Sequence, residues 1–184
     1  LLTSNNGLWV SQSRGDLWAQ VTDGAGVLSP TANVFGAAVN PERSSEWYVA
    51  AFQLNRGRVL RTTDDGRTFR EVYSTPLERF GVFDLFYDQG QNTVQIVTGQ
   101  GGVLDSDDQG RTWRVRRWFA DGLTRLLVNP RNVNTRFVVS ARGSLFRTED
   151  GGGAWVDVTS AFSKFSGASA NQHWFMDHVG TIHL

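Results

Sequence analysis

An eight-residue pattern recurs four times along the chain, and its spacing restricts the fold more than any single residue does. The copies are SDDQGRTW (Ser106 to Trp113), TTDDGRTF (Thr62 to Phe69), TEDGGGAW (Thr148 to Trp155) and, more loosely, SQSRGDLW (Ser11 to Trp18). They begin at positions 11, 62, 106 and 148, at intervals of 51, 44 and 42 residues. A repeat of about 40 to 45 residues is one supersecondary unit that cannot bury its apolar face alone, so neighbouring units must stack.

Each interval holds the same order of short strands. The fourth unit reads as LTRLLVNP (Leu123 to Pro130), TRFVVSAR (Thr135 to Arg142), SLFRT (Ser144 to Thr148), the eight-residue turn, and WVDVT (Trp155 to Thr159). The second runs NVFGAAVNP (Asn33 to Pro41), EWYVAAF (Glu46 to Phe52), RVLRT (Arg58 to Thr62) and FREVY (Phe69 to Tyr73). The third runs GVFDLFYD (Gly81 to Asp88), TVQIVTG (Thr93 to Gly99), GVLDS (Gly102 to Ser106) and WRVRRW (Trp113 to Trp118). Apolar residues come in runs of three to five or in alternation, which argues strands over amphipathic helices. The expected fold is all-β, a β-propeller of four-stranded antiparallel blades. The first strand of a blade lies nearest the axis and is covered on both faces, which accounts for its continuous apolar runs.

The units divide the chain into a half blade at 1–23, blades at 33–75, 81–118 and 123–160, and the start of another at 172–184. The first copy begins so early that only a third and a fourth strand precede the second unit. Four blades' worth of strands fit either a four-bladed ring closed by pairing of the termini or part of a larger ring. The partial ring is the expectation, and its open blade edges call for a covering partner.

Charge and composition exclude several functions. Eighteen basic and eighteen acidic residues balance, so nothing marks the chain as a nucleic-acid binder. Lys164 is the only lysine. There is no cysteine, which removes disulfides, thiolate metal sites and a cysteine nucleophile. No apolar run approaches the roughly 18 residues of a membrane span. The chain starts at Leu1 without an initiator Met or a signal-like segment, as expected of a processed, trimmed or partial product.

The pattern S/T-x-D-x-G-x-T-W/F resembles the Asp-box, or BNR repeat, of sialidases, sortilin-type receptors, Asp-box xyloglucanases and photosystem II assembly factor-like propellers. The match takes in Thr62, Asp64, Gly66 and Phe69; Ser106, Asp108, Gly110 and Trp113; and Thr148, Asp150, Gly152 and Trp155. The first copy keeps Ser11, Gly15 and Trp18 but has Ser13 at the acidic position. A short carboxylate beside a tight turn accepts backbone N–H bonds, and glycine supplies positive φ. The resemblance implies that the box fastens an outer hairpin, away from the central binding face. The assembly-factor-like group is nearest, through V-N-P followed by L-F-R-T-x-D-G-G between Val128 and Gly152. Its members are mostly extracytoplasmic and act by binding other proteins.

Catalytic constellations are weakly represented. Sialidases use an arginine triad, a tyrosine paired with glutamate, and an F/Y-R-I-P segment, which this chain lacks. Tyr48, Tyr73 and Tyr87 each sit in a strand pattern, with no glutamate recognisable as a partner. Glycoside hydrolysis needs two carboxylates across a cleft, and Asp84 with Asp121 is the best pair the sequence offers. Asp84 reads more simply as a channel-lining or hydrogen-bonded residue. His173, Asp177, His178 and His183 invite a metal reading, but strand alternation sends His173 and Asp177 to one face and His178 to the other. No catalytic residue, cofactor or metal ligand is assigned.

Arg111, Arg114, Arg116, Arg117 and Arg125, with Trp113 and Trp118, form the densest basic and aromatic cluster, a candidate surface for phosphate, a glycan or an acidic protein partner. The simpler reading is a solvated outer strand whose arginines pair with Asp105, Asp107 and Asp108. The function expected is a non-catalytic, extracytoplasmic scaffold for protein binding or assembly. The alternatives are a fragment of an Asp-box glycoside hydrolase of sialidase or xyloglucanase type, or a subunit of a cell-surface assembly.

Overall fold

The structure, a computed structural model, describes residues 1–162, 175–178 and 180–183. It is built almost wholly of short antiparallel strands. The first sheet contains β1 (Leu2–Ser4), β2 (Gly7–Val10) and β3 (Ala19–Gln20). The second contains β4 (Asn33–Asn40), β5 (Arg43–Gln53), β6 (Arg56–Thr62) and β7 (Arg70–Ser74). The third contains β8 (Val82–Asp88), β9 (Thr93–Thr98), β10 (Gly102–Ser106) and β11 (Arg114–Trp118). The fourth contains β12 (Leu123–Val128), β13 (Arg136–Ser140), β14 (Leu145–Thr148) and β15 (Val156–Asp157). A one-turn helix α1 (Thr159–Phe162) follows, and β16 (Phe175–Met176) pairs with β17 (Ile182–His183).

Every sheet is an up-and-down meander in which sequence neighbours pair. The strand boundaries follow the apolar runs closely. The first sheet departs from expectation: it has three strands where the spacing leaves room for two. Leu2 to Ser4 pairs with Gly7 to Trp9, because Ser4 Oγ caps the tight turn through the Asn6 amide at 3.1 Å.

The blades pack face to face along the chain, and their cores lie in the seams. The first seam buries Leu8, Leu28, Val34, Trp47, Val49, Leu60 and Phe69; the second buries Tyr48, Ala50, Val59, Val82, Leu85 and Ile96. Strand β5 feeds both, since Trp47, Val49 and Ala51 point one way while Tyr48 and Ala50 point the other. That is why its middle, Trp47 to Phe52, is apolar without a break. The third seam gathers Val97, Val103, Phe119, Leu123, Leu126 and Val138.

The inner strands share one irregularity. The pairing of β4 with β5 shifts between Val34 and Gly36, that of β8 with β9 between Val82 and Asp84, and that of β12 with β13 between Leu123 and Arg125. A bulge at the same place in three blades puts Gly36, Asp84 and Arg125 at equivalent positions.

Candidate functional site

The four eight-residue turns adopt one hydrogen-bonding scheme. In the second, Thr62 Oγ1 donates to Asp64 Oδ1 (2.7 Å) and accepts from Gly66 N (3.1 Å), while Asp64 accepts from Thr68 N (2.9 Å) and Thr68 Oγ1 (2.6 Å). Ser106, Asp108, Gly110 and Thr112 repeat this arrangement, as do Thr148, Asp150, Gly152 and Ala154. In the first turn Ser13 Oγ accepts from Leu17 N at 2.7 Å and Ser11 Oγ from Gly15 N at 2.8 Å. Ser13 therefore does with one oxygen what the aspartates do with two.

The turn carboxylates are consumed by these bonds. The Thr68 and Thr62 hydroxyls hold Asp64 at a pKa of about 2, Thr112 does the same to Asp108, and the Ala154 amide leads for Asp150. The aromatics of the last three turns pack into the seam with the preceding blade: Phe69 into the first, Trp113 into the second and Trp155 into the third. Trp113 Nε1 also donates to Val72 O across that seam at 2.8 Å. Trp18, of the first turn, is 43% exposed.

Buried charges reinforce the seams on the same face as these turns. Asp88 at the end of β8 meets Arg136 of β13 at 2.5 Å, and both side chains are almost fully buried. Glu46 accepts from Arg61 Nε (2.8 Å), Asn40 Nδ2 (2.9 Å) and Tyr48 Oη (2.8 Å). Burial works to raise the Glu46 pKa, but these donors outweigh it and hold the carboxyl below its ordinary value. Burial, then Glu46, pushes the Tyr48 phenol up.

The Tyr48–Glu46 contact corrects the sequence reading, which left the tyrosines without a glutamate partner. Residues i and i+2 of a strand share a face, and that signal was available in Glu46-Trp47-Tyr48. Both side chains are almost fully buried, Tyr48 in the second seam. Asp88 and Arg136 were not singled out by sequence at all.

Asp84 and Asp121 are each held by backbone amides. Asp84 Oδ1 accepts from Leu85 N (2.9 Å) and Oδ2 from Leu126 N of the next blade (3.1 Å). Burial pushes its pKa up to about 6, with the two amides and Arg125 working against the rise. Gly36 leaves the room: a Cβ there would sit 3.2 Å from Asp84 Oδ1. Asp121 accepts from Gly122 N (2.9 Å) and Arg142 N (2.8 Å).

The arginine cluster is split. Arg114, Arg116, Arg117 and Trp118 lie on β11, the outermost strand of the third sheet, and all five residues of that strand are exposed. Arg111 is exposed in the turn before it. Arg125 lies instead on the inner strand β12, next to Asp84. Arg114 pairs with Asp107, and Arg116 Nε with Asp105 Oδ2 at 2.7 Å. Asp108 is occupied by its own turn. Arg117 lies over the Phe119 ring at 5.8 Å. A shift of register between Val103 and Leu104 makes Arg116 the extra residue of a bulge.

His173 lies outside the described residues. Asp177 closes a turn by accepting from Thr181 N at 2.9 Å, and His178 is exposed. Among the described residues no group of three or more His, Cys, Asp or Glu side chains is placed to hold a metal, and no helix is long and apolar enough to cross a membrane.

No family model matches the chain, and no curated protein matches it. The GH74 xyloglucanase from Xanthomonas campestris superposes with a TM-score of 0.64 at 19% identity, over 85% of this chain and 28% of the enzyme. YCF48 from Cyanidioschyzon merolae gives 0.62 at 15% identity, over 90% of this chain and 52% of that protein. A structure of YCF48 bound to D1 peptide gives 0.53 at 17% identity, over 69% and 41% of the two chains. The fold is an arc of β-propeller blades. The chain spans about a quarter of the xyloglucanase and about half of YCF48.

Proposed function

We propose that the chain is a non-catalytic binding scaffold: an Asp-box propeller segment, part of a larger propeller, that presents its rim to a protein partner outside the cytoplasm. The observation that carries this reading is β11, where three arginines, Val115 and Trp118 are all exposed on an outermost strand. Among the described residues Arg117 and Arg111 have no carboxylate partner, Trp118 supplies a broad apolar surface, and Arg and Trp are among the residues enriched at interface hot spots. The proposed blades are those read from the repeat, at 33–75, 81–118 and 123–160, with partial units on either side. A peptide complex of the structurally similar YCF48 supports a protein ligand. The extracytoplasmic location rests on the Asp-box resemblance.

The test is isothermal titration of the purified chain against proteins recovered with it by pull-down. Arg116→Glu and Arg117→Glu together are expected to weaken binding at least about tenfold, the effect of losing one hot spot. Turnover of xyloglucan or a sialoside by the chain overturns the non-catalytic reading. One observation favours that second reading, a glycan-cleaving fragment: Asp84, on an inner strand, has a carboxyl that titrates near pH 6, as a general acid requires. Its engagement with two backbone amides speaks for a structural role.

A further inference from the structure

On the face opposite the eight-residue turns, the tip of the β5–β6 hairpin carries an unusual residue. Leu54 and Asn55 are the central pair of a two-residue turn, with φ of 51° and 62°. Turns of this kind favour Asn-Gly, and a leucine at positive φ is strained. Leu54 receives no packing in return, being 79% exposed. Strain that the fold does not need points to use by something else.

The neighbouring connection is built in the same way. Leu77 is 57% exposed and Phe80 36% exposed, and Arg79 between them also has positive φ, 67°. The two segments are locked together. Arg79 N donates to Asn55 O (2.8 Å), Gly57 N to Phe80 O (2.8 Å), Asn55 Nδ2 to Glu78 Oε2 (3.1 Å), and Arg56 Nη1 to Thr75 O (3.0 Å). Gly57 is required here, since a Cβ would lie 2.3 Å from Val82 N. The apolar side chains are therefore held outward on a rigid base, so little ordering entropy opposes binding.

Beside Leu54 is a hollow of about 340 Å³, bounded by Val27, Ser29, Ala32, Phe52 and Gln53. Its shape is fixed by Gln53, which accepts from Ser29 N (2.9 Å) and donates to Val27 O (2.5 Å). On the Leu77–Phe80 side of the hairpin the charges are unequal. Glu78 is shared by Asn55 and by Arg56 at 3.7 Å, whereas Arg79 has no carboxylate partner among the described residues.

We propose that this hollow and the Leu54–Phe80 platform form a docking site for a protein segment that inserts one apolar side chain beside Leu54 and sets a carboxylate against Arg79. The exposed Glu78 in the middle of the platform speaks against a bilayer as the occupant. The inference rests on the scaffold reading but not on β11, which is a different surface.

The probes are two synthetic peptides with a central Phe, one flanked by Asp and one by Lys, titrated into the chain while its backbone amide resonances are followed. The Asp-flanked peptide is expected to move resonances of residues 26–32, 52–55 and 77–80 and to bind at least about tenfold more tightly than the Lys-flanked one. Leu54→Asn should remove that binding and raise the melting midpoint, because asparagine tolerates positive φ. Arg79→Ala should abolish the preference for Asp. Arg117→Ala should leave the titration unchanged, which separates this site from β11.

Equal binding of the two peptides, a lower midpoint for Leu54→Asn, loss of binding in Arg117→Ala, or no movement of those resonances overturns the proposal. Binding of vesicles of equimolar phosphatidylcholine and phosphatidylglycerol, lost in Leu54→Asn and unmatched by either peptide, overturns it in favour of a membrane.

Discussion

Strands β8 and β11 are the two edges of one sheet: β8 is mostly apolar with two aspartates, β11 carries three arginines, and their charges meet different surroundings. Strand β8 buries Val82, Leu85, Tyr87 and Asp88 between neighbouring blades, and its charges are answered across a seam: Asp88 by Arg136, Asp84 by the Leu126 amide. Strand β11 exposes all five of its residues; Arg114 and Arg116 pair with Asp107 and Asp105 of their own blade, while Arg117 lies over the Phe119 ring. The charges of β8 therefore tie neighbouring blades together, whereas those of β11 stay on the exposed edge of their own blade. The distinction depends on neighbours, since both strands come from the same meander.

The sharpest way to break the comparison is to remove the inner charge. Arg136→Ala leaves the Asp88 carboxylate buried and unpaired, and also takes away a bond to Val133 O (2.7 Å) and a contact over the Phe86 ring at 5.2 Å. A loss of about 3 to 5 kcal/mol is expected from the urea midpoint. A loss below 1 kcal/mol would mean that water reaches this seam and that the two strands are less different than argued.

Asp84 gives the next effect, and it depends on pH. Its folded pKa, raised by burial to about 6, lies above the unfolded value near 3.8. The native state thus binds more protons between about pH 4 and 6, so stability falls as pH rises through that window. The contribution is roughly 2 to 3 kcal/mol. Asp84→Asn should remove it, seen as a flatter difference in urea midpoint between pH 4 and 7. The turn carboxylates have the opposite sign. Asp64, Asp108 and Asp150, held at about 2, contribute stability that is present above pH 4 and lost on acidification towards pH 2.

Much of this was legible in the sequence, for an identifiable reason. Apolar runs broken by Asn-Pro or Gly mark strands, and the eight-residue turn sets the register of the last hairpin in each blade. What escaped was contact between blades. Arg125 was grouped with Arg117 because eight positions separate them, yet the chain crosses between them from an outer strand to the next inner one. Tyr48 lacked a visible partner because its glutamate is two residues away on the same face, a spacing easily passed over in an apolar run. Leu54 carried no signal at all, since positive φ at a leucine appears only in the coordinates.

A smaller stability effect belongs to the outer hairpin. Gly110 has φ of 82°, and a Cβ there would come within 2.7 Å of Val72 Cβ in the preceding blade. Gly110→Ala should cost roughly 2 kcal/mol, since both the backbone and the seam resist it. The midpoint of thermal unfolding reports it. An unchanged midpoint would show that this hairpin yields without disturbing the seam, and would weaken the view of these turns as fasteners.

The rim should register least. Arg117→Ala removes an exposed guanidinium that lies over the Phe119 ring and has no ion-pair partner among the described residues, so a change of about 0.5 kcal/mol is expected. If β11 is a recognition surface, the same variant lowers partner affinity at least about tenfold while unfolding as the parent does. A stability loss as large as that of Arg136→Ala would place β11 among the structural strands. Stability and affinity measured on one variant therefore separate the two uses of charge, because removing an arginine that pairs with a buried carboxylate lowers stability, whereas removing an exposed one leaves it nearly unchanged.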